Sequence, residues 1–506
     1  MSELINMFLS EYSLKMWLAQ SGTVFVLFLL GLFVVFLLNN GRIGFFEYLL
    51  AYPVGLSVFT IWGFFNLLFS IPYRITVIAV EILIFIAVLL LAFHKKMAFY
   101  INLKHLAYAC LIALALALLS TAGLFSVSIS NDSMYYYSMF PRALVKSGKY
   151  HRELNVFLTD VGQGSAVIGS LPYMLGFDES FGIQTFFNIN VLLLFANALF
   201  EYAKDRLEKK KAYTIALILV LLLISSMPVI LVSKWAMSNG YFCGYMFLVV
   251  YYIRKYFANS NDYLKEEVNI NGICIIGGML LLTLSLLRME GFIIALFITV
   301  VCSTLNISNK ILFFGMLLPE LIVSVIYDLR ILIFMDIDAP YTFLTREKAM
   351  LQLAAYIFVG LYLLLVRGRF FLKLQAGLNL LIPATFILVN AILFVYDRSL
   401  YVMNIKAFLA NLLHSSGWGI YPIVVVGIYI ICIVSGGIRN FKYNFYDLCF
   451  IGYLLITLAV CFARDGAMKE SVGDSGNRVL LQGVLIYSFA TFSHVVDLFI
   501  DNETNQ

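Results

Sequence analysis

Charged residues are scarce in this chain. Asp, Glu, Lys and Arg together make up 12% of its 506 residues, whereas 62% are hydrophobic. A soluble globular domain usually carries about 25% charged residues. With a mean hydropathy of +0.93, the composition excludes an ordinary soluble domain and favours a polytopic membrane protein.

Several functional signatures are also missing. The seven cysteines lie in or beside apolar runs and form no C-x-x-C pair, so we interpret them as small buried hydrophobic residues. The five histidines form no metal-spaced cluster. No block of basic residues lies outside the short cytoplasmic connections, which gives no case for nucleic-acid binding. The first twenty residues do not resemble a cleavable signal peptide, and we expect them to lie as an amphipathic segment on the membrane surface.

Long apolar runs fill most of the sequence. Runs of about twenty residues match a hydrocarbon core about 30 Å thick, and they lack the alternation of barrel strands. We therefore predict an all-α polytopic membrane protein with about 13–15 transmembrane helices. The runs are 23–38, 44–70, 75–93, 103–126, 183–203, 214–233, 239–253, 268–287, 291–305, 311–327, 349–366, 374–396, 418–435, 445–463 and 479–499.

Lys and Arg in the short connections predict the orientation. The basic connections alternate along the chain with less basic ones, so they all fall on one side of the membrane, and the positive-inside rule makes that side cytoplasmic. The N terminus is then outside and the C terminus inside. The connections predicted to lie outside are 127–182, 234–239, 288–290, 328–347, 397–417 and 464–478.

The interval 127–182 is the most polar part of the chain. It is far longer than the usual helix–helix connection of about 2–8 residues, and long loops of this kind often carry function. It opens on Asn131-Asp132-Ser133 and continues into Tyr135, Tyr136 and Tyr137. Before Asp178-Glu179 near its end, its acids are Asp132, Glu153 and Asp160, and its bases are Arg142, Lys146, Lys149, His151 and Arg152.

Charged residues also stand at the predicted outer ends of several helices. Arg288 and Glu290 interrupt an apolar stretch, Lys234 lies beside Trp235, and Arg478 begins the last run. A charge at membrane depth costs about 2.5–3.5 kcal/mol, so such groups pair or line a wet cavity. Arg288 and Glu290 have a purely structural alternative, in which they pair with neighbouring helices.

A carboxylate beside several cations suits transfer from a lipid-phosphate sugar. Asp132 would take the proton from an acceptor hydroxyl, and cations would hold the departing phosphate. Each residue has the alternative role of an interface anchor or a solvated loop charge. The candidates for the donor phosphate are Arg142, Lys234, Arg288 and Arg478; those for stacking on sugars are Tyr135, Tyr136, Tyr137 and Trp235.

Two further patterns are weaker. Gly162-Gln163-Gly164-Ser165 resembles a phosphate-binding loop, but Val167 replaces the third glycine and no strand precedes it, so we predict a turn. Asp132 and Asp160 could hold a divalent cation, Mg²⁺ or Mn²⁺, and the sequence leaves this cofactor open.

Three short segments carry a family resemblance. Asp132 opens the first large outside loop and is followed by aromatic residues, Pro141 and Gly148. Leu287-Arg288-Met289-Glu290-Gly291 is similar to an Arg-x-Glu-Gly segment, and Gly476-Asn477-Arg478-Val479-Leu480-Leu481 to a Gly-x-Arg-Tyr-Leu-Leu segment. Together they resemble the GT-C superfamily of polytopic membrane glycosyltransferases, which use polyprenyl-phosphate sugars. This superfamily includes protein mannosyltransferases and the aminoarabinose transferase of lipid A.

The resemblance implies an inverting transfer on the extracytoplasmic face, with Asp132 as the catalytic base. It divides the chain into residues 1–102, with the amphipathic segment and about three extra helices, and a GT-C-like core, 103–499. Loop 127–182 of that core would contain short helices. The acid pair of the family is absent, because Asn131 and Ser133 flank Asp132, and the second acid is open between Glu153 and Asp160. Val479 also replaces the usual tyrosine, and no proline follows Leu481.

The predicted partners are therefore a polyprenyl-phosphate-linked sugar, an acceptor that is a glycan, lipid or protein, and membrane lipids. The composition suits the cell membrane of a low-GC bacterium. A transporter or flippase for lipid-linked glycans is the first alternative, although the chain shows no internal repeat and only nine prolines. A polymerase or ligase of surface polysaccharide is the second, but its long loop would be expected late in the chain.

Overall fold

Helices of membrane-spanning length dominate the structure. The part of the chain described by the computed structural model comprises residues 14–41, 43–94, 107, 111, 114, 135–148, 162–176, 183–204, 206–226, 228–229, 237–258, 270–288, 290–305, 307–330, 332, 345–365, 369–413, 418–436, 441–463 and 475–504. These residues contain no strand, and eight of their helices are long and apolar enough to cross a membrane. The protein is thus an all-α, integral membrane protein, as predicted, whereas the total of 13–15 spans stays a prediction.

The described residues form the following helices, in chain order. They are α1 (Leu14–Leu38), α2 (Phe45–Leu68), α3 (Tyr73–His94), α4 (Phe140–Ser147), α5 (Gln163–Met174), α6 (Ile183–Lys204), α7 (Lys209–Ile224), α8 (Ser238–Ala258), α9 (Ile270–Leu287), α10 (Gly291–Cys302), α11 (Asn309–Leu329), α12 (Arg346–Leu365), α13 (Arg369–Tyr396), α14 (Arg398–Leu413), α15 (Tyr421–Ser435), α16 (Phe445–Ala463) and α17 (Ser475–Thr504). A π-helical turn, Tyr135–Met139, leads into α4, and a second, Phe313–Leu317, lies within α11.

Helices α1 and α2 make a very close crossing. A Cβ atom on Gly31 would lie 1.7 Å from the Ala51 carbonyl oxygen, and one on Gly55 would lie 1.9 Å from the Leu27 carbonyl oxygen. Small residues let helix backbones touch, and in a membrane such packing is a main source of helix association. The two glycines therefore hold α1 and α2 together as a pair.

A proline within α2 connects three helices. Pro53 has no backbone N–H, so the Leu49 carbonyl loses its helical donor. Asn190 of α6 supplies the missing bond, since its Nδ2 donates to Leu49 O at 2.9 Å. Tyr245 of α8 donates its hydroxyl to Pro53 O at 2.8 Å. Because hydrocarbon offers no other partner to a backbone carbonyl, these bonds fix α6 and α8 against α2.

Helix α8 runs through the centre of the bundle. It packs against α6, α9 and α17, and large side chains along it, Tyr245, Phe247 and Tyr252, have no exposed surface. The cysteines with described side chains are buried and unpaired, as predicted: Cys243, Cys274, Cys302, Cys432 and Cys449.

The two ends of α8 differ in their polar surroundings. At its C-terminal end, called here the Lys255 end, Lys255 Nζ lies 2.9 Å from Glu201 Oε2 and 3.5 Å from Glu47 Oε1. Its N-terminal end, called the Arg288 end, begins at Ser238. With 21 residues in α8, the two ends are about 30 Å apart.

The turn between α9 and α10 is recessed into the bundle. Helix α10 has 12 residues and spans about 18 Å, whereas α11 has 21 residues and spans about 31 Å. Ser285 of α9 bonds to Glu320 in the middle of α11, and the Tyr356 hydroxyl donates to Phe292 O at 3.2 Å. The turn carrying Arg288 therefore lies level with the middle of α11 and short of its end at Leu329.

Two intervals predicted as outside connections contain helices, and their placement outside stays a prediction. The connection predicted over 397–417 contains α14. Helix α14 was not predicted because it has only 16 residues and carries charged side chains. Asp397 caps its N-terminus, since Leu400 N–H donates to Asp397 Oδ1 at 2.9 Å. The interval 127–182 includes α4 and α5. Its likeness to a GT-C loop and the domain boundary at residue 102 stay predictions; the run 103–126, apart from residues 107, 111 and 114, lies outside the described residues.

Candidate functional site

Side chains from distant segments meet at the Arg288 end of α8. The Tyr137 hydroxyl and Ser238 Oγ share a hydrogen bond of 2.8 Å. Arg288 Nη1 donates to the same Ser238 Oγ at 3.2 Å. Tyr137 is 8% exposed and Ser238 is fully buried. The first part of the polar interval, the start of α8 and the turn after α9 are thus joined at one serine.

Arg288 is a largely buried cation held by a carboxylate. Its Nε donates to Glu290 Oε1, and the two side chains are only 14% and 13% exposed. Burial by itself lowers the pKa of Arg288, but the neighbouring Glu290 carboxylate outweighs burial, and the pKa is raised above its ordinary value. The guanidinium therefore stays charged at any pH at which the protein is folded.

A second arginine borders the same place. Arg478, near the start of α17, points Nη1 at Met237 Sδ, 3.6 Å away, and its carbonyl oxygen accepts a bond from Asn239 Nδ2 at 3.2 Å. Burial raises the pKa of Tyr137, and the charges of Arg288 and Arg478 act in the opposite direction. Both guanidinium groups are therefore close enough to act on one phenol.

The start of α8 is fixed from α6. Gln184 makes a paired contact with Met237: its Oε1 accepts from the Met237 N–H at 2.7 Å, and its Nε2 donates to the Met237 carbonyl at 2.8 Å. A Cβ atom on Gly240 would lie 2.7 Å from Asn188 Oδ1, so α6 and α8 are in direct contact here. The N-terminal end of a helix carries partial positive charge, which adds to that of the arginines.

The start of α17 is fixed in a similar way. The Tyr453 hydroxyl of α16 lies within hydrogen-bond distance of the Val479 carbonyl and 3.1 Å from Gln482 Oε1. Gln482 is 2% exposed and Tyr453 is 1% exposed. The backbone that carries Arg478 is therefore held in place by its contacts with α16.

Two glycines dock the polar interval onto the Arg288 turn. Gly162 has a φ of +83° and directly precedes α5. The turn predicted over 162–165 is therefore wrong, because Gln163, Gly164 and Ser165 begin that helix. A Cβ atom on Gly162 would lie 2.2 Å from Leu287 O, and one on Gly164 would lie 2.9 Å from Leu286 O. The pair lets α5 touch the backbone immediately before Arg288, a role that the sequence analysis missed.

The structure describes only some of the predicted site residues. It brings Arg288, Arg478 and Tyr137 together. Arg142 lies on the exposed side of α4, with its guanidinium carbon 5.3 Å from the centre of the Tyr173 ring. Tyr135 and Tyr136 lie in the π-helical turn before α4, but their side chains are outside the description. Asp132, Glu153, Asp160, Lys234 and Trp235 lie outside the described residues, and their roles stay predictions.

Nothing in the sequence marks three of the residues around the site as functional. Ser238, Gln184 and Tyr453 lie in or beside apolar runs and match no motif. A polar residue in an apolar run is a general sign of a functional or packing role, but many such residues occur in this chain. Their importance follows only from the packing of α6, α8 and α16.

An apolar groove lies at the other end of α5. It has a volume of about 780 Å³ and lies between α1, α3 and α5, with Thr23 and Glu81 as its polar members. Leu171 and Leu175 line it, and seven residues of helix separate Leu171 from Gly164, about 10 Å. Helix α5 therefore links the groove to the Arg288 turn.

Metal binding has no support from the described part of the chain. Within it, no group of three His, Cys, Asp or Glu side chains is placed to hold a metal ion. Asp132 and Asp160, the predicted ligands of Mg²⁺ or Mn²⁺, are not among the described residues, so this cofactor stays a prediction.

Known proteins offer no match. Comparisons of the chain with protein-family models, with curated proteins and with solved structures find none that resembles it. The GT-C resemblance thus depends on three short segments of the chain. Two of them, those of Arg288 and Arg478, meet at the Arg288 end of α8.

Proposed function

We propose that this protein is a glycosyltransferase of the cell membrane. It would move a sugar from a polyprenyl-phosphate donor to a glycan, lipid or protein acceptor on the extracytoplasmic face. The observation that carries the proposal is that Arg288 and Arg478, far apart in sequence, lie around the same buried Tyr137–Ser238 pair.

The charge of this cluster suits a phosphate. Glu290 balances one of the two guanidinium groups, so one net positive charge remains among these described side chains. Because Arg288 is largely buried, its attraction for an anion is screened little by water. Guanidinium groups bind phosphate oxygens through paired N–H donors, and preorganised cations stabilise the charge that develops on a leaving phosphate.

Asp132 would act as the catalytic base. It precedes Tyr135 by three residues, a length of chain that spans at most about 11 Å. Its carboxylate would take the proton of the acceptor hydroxyl as that oxygen attacks the anomeric carbon. The bond from this carbon to the phosphate oxygen breaks, and the lipid phosphate departs with the bonding electrons. Attack opposite the leaving group inverts the configuration.

The groove beside α5 suits the lipid part of the donor. Its lining is mostly apolar, and it ends about 10 Å from the residues that touch the Arg288 turn. A polyprenyl chain in the groove would bring its phosphate towards Arg288 along α5. The remaining candidates for donor and sugar contacts are Arg142, Lys234, Tyr135, Tyr136 and Trp235, with Glu153 or Asp160 as the second acid.

Transfer from defined donors tests the proposal. The full-length protein in nanodiscs is incubated with a panel of polyprenyl-phosphate hexoses and pentoses and with extracted surface glycans, and released polyprenyl phosphate is measured. Because a general base contributes about 10²–10⁴-fold, we expect Asp132→Asn to lose at least 100-fold of the rate while its membrane insertion is unchanged.

The control is Arg369→Ala, which removes an exposed arginine of α13 and should keep full activity. Full activity of Asp132→Asn would remove Asp132 from the mechanism. If the wild-type protein moves the lipid donor between leaflets but transfers no sugar, it is a flippase and the proposal is wrong.

A further inference from the structure

A second polar cluster lies inside the bundle, away from the two arginines. Helix α11 carries Glu320, Ser324 and Asp328 at intervals of four residues, so all three lie on one side of the helix. Glu320 and Ser324 are 1% exposed, and Asp328 is 8% exposed. The stripe runs from the middle of α11 to its end near Leu329.

Side chains from two other helices face this stripe. Ser285 of α9 bonds to Glu320 Oε2. Gln352 of α12 donates from Nε2 to Ser324 Oγ at 2.7 Å and lies 3.4 Å from Asp328 Oδ2. One oxygen of each acid, Glu320 Oε1 and Asp328 Oδ1, is buried and has no hydrogen-bond partner.

Within the described part of the chain, no cation balances the two acids. Neither Glu320 nor Asp328 forms an ion pair with any Lys, Arg or His side chain among the residues that the structure describes. The titratable group that faces them from α12 is Tyr356, whose hydroxyl already donates to Phe292 O. An ionised carboxylate without a partner is very costly inside a membrane, and such a group takes up a proton instead.

The hydrogen bonds of Ser285 also indicate that Glu320 is protonated. Its single hydroxyl hydrogen has two acceptors within reach, the Leu281 carbonyl at 3.1 Å and Glu320 Oε2. A carbonyl can only accept, and a hydroxyl donates one hydrogen bond. Both contacts are satisfied at once if Ser285 donates to Leu281 and Glu320 donates its own carboxyl hydrogen to Ser285.

We propose that Glu320 is a proton-binding site within the membrane. It holds a proton at neutral pH and exchanges it with the polar rim at the Leu329 end of α11, along Ser324, Gln352 and Asp328. Asp328 lies eight residues along α11, about 12 Å nearer the end of the helix, and acts as the entry group. The site is independent of sugar transfer, although Ser285 lies only three residues before Arg288.

The other charged groups near Glu320, Ser324 and Asp328 lie at the ends of helices. Glu290 is occupied by Arg288, and Arg330, just past Asp328, donates to Ser70 Oγ at 3.1 Å. Arg346, Glu347 and Lys348 begin α12 on its exposed surface. A proton entering at Asp328 therefore starts from a polar rim and moves into an apolar interior.

Labelling with a hydrophobic carbodiimide tests the proposal, because this reagent modifies protonated carboxyl groups in apolar surroundings. The full-length protein in nanodiscs is treated at several pH values, with choline replacing sodium, and the modified peptides are identified by mass spectrometry. We expect labelling at Glu320 that falls as pH rises. Asp328→Asn should slow the labelling of Glu320 several-fold.

The chain contains a matched control. Glu47 is also a buried carboxylate, but Lys255 and Tyr256 contact it, so it should remain ionised and unlabelled. A protein in which Glu320 is unlabelled, or labelled no faster than Glu47, contradicts the proposal. Protection of Glu320 by added sodium would also overturn it, since the ligand would then be a metal cation. Because the main measurement uses the wild-type protein, it does not depend on the folding of a variant.

Discussion

Tyr137 and Ser238 share a hydrogen bond of 2.8 Å across 101 residues of sequence. A serine oxygen can donate one bond and accept two, so Ser238 can serve Tyr137 and Arg288 together. This hydroxyl joins the polar interval to the α9–α10 turn. Variants of its partners therefore report on whether the site is assembled.

Removal of the Tyr137 hydroxyl should weaken the fold in a pH-dependent way. Tyr137→Phe loses one buried hydrogen bond, and we expect the unfolding free energy to fall by about 1 kcal/mol at neutral pH. Burial raises the pKa of Tyr137, so the folded protein keeps the phenol neutral. Tyrosine in the unfolded chain ionises near pH 10, so the stability from Tyr137 is complete below about pH 10 and declines above it.

Thermal unfolding of wild type and Tyr137→Phe in detergent, between about pH 8 and about pH 11, measures this effect. The difference between the two proteins should shrink above about pH 10, because only the wild type loses stability there. Ser238→Ala serves as the matched variant that keeps the phenol. A difference that stays constant over the whole range would show that Tyr137 is not buried as neutral phenol.

Arg288 and Glu290 can be separated into structural and functional parts. Arg288→Met leaves Glu290 buried without its cation, which should cost about 3–5 kcal/mol. The double variant Arg288→Met with Glu290→Gln leaves no unpaired charge, so most of that stability should return. Sugar transfer should remain low, because the phosphate has lost a cation. If the double variant regains both stability and transfer, the arginine serves only to pair with Glu290.

The approach of α5 to the Arg288 turn can be tested at Gly162. An alanine there would place its Cβ 2.2 Å from Leu287 O, and it would also have to adopt a φ of +83°. Gly148 has a φ of +69° but no atom within 4 Å of an added Cβ, so Gly148→Ala measures the backbone strain alone, about 1 kcal/mol.

We expect Gly162→Ala to lower transfer at least tenfold and Gly148→Ala to lower it little. Both variants are compared at equal amounts of folded protein, judged by gel filtration. Equal effects of the two substitutions would mean that the contact with Leu287 does not position the site.

A bulky residue in the groove should discriminate between donors of different chain length. Ile82 lines the groove and is 53% exposed, whereas Ile75 lies on the same helix, is 76% exposed and does not line it. We expect Ile82→Trp to raise the KM for a long polyprenyl donor several-fold and to leave a short-chain donor unaffected. Ile75→Trp should change neither value. The same KM increase with both donors would exclude the groove as the site of the lipid chain.

The sequence predicts the class of this structure better than its details. Length and hydropathy indicate membrane helices because a span must be long and apolar, and eight helices of the described residues are both. Helix α14 escapes the same argument, because it is short and charged and is defined by the Asp397 cap. Hydropathy has no means of detecting a helix of that kind.

The candidate site shows the same division. Arg288 and Arg478 stand out in the sequence because charge is rare among apolar residues. Their meeting at Ser238 could not be predicted, since it depends on which helix ends are neighbours. The contact of Gly162 with Leu287 is equally hidden, because the glycines at 162 and 164 indicate a turn in the sequence, whereas in the structure they let the start of α5 touch another backbone.

Helix α6 is held at two heights. Asn190 donates to Leu49 O of α2, the carbonyl that Pro53 leaves without a helical donor. Gln184, six residues earlier, bonds to both the N–H and the carbonyl of Met237, immediately before α8. Because α6 is hydrogen-bonded at two levels, it can neither rotate about its axis nor slide along it without breaking both sets of bonds. Any movement that opens or closes the arginine cluster must therefore come from the α9–α10 turn or from α17, while α2, α6 and α8 act as the stationary frame.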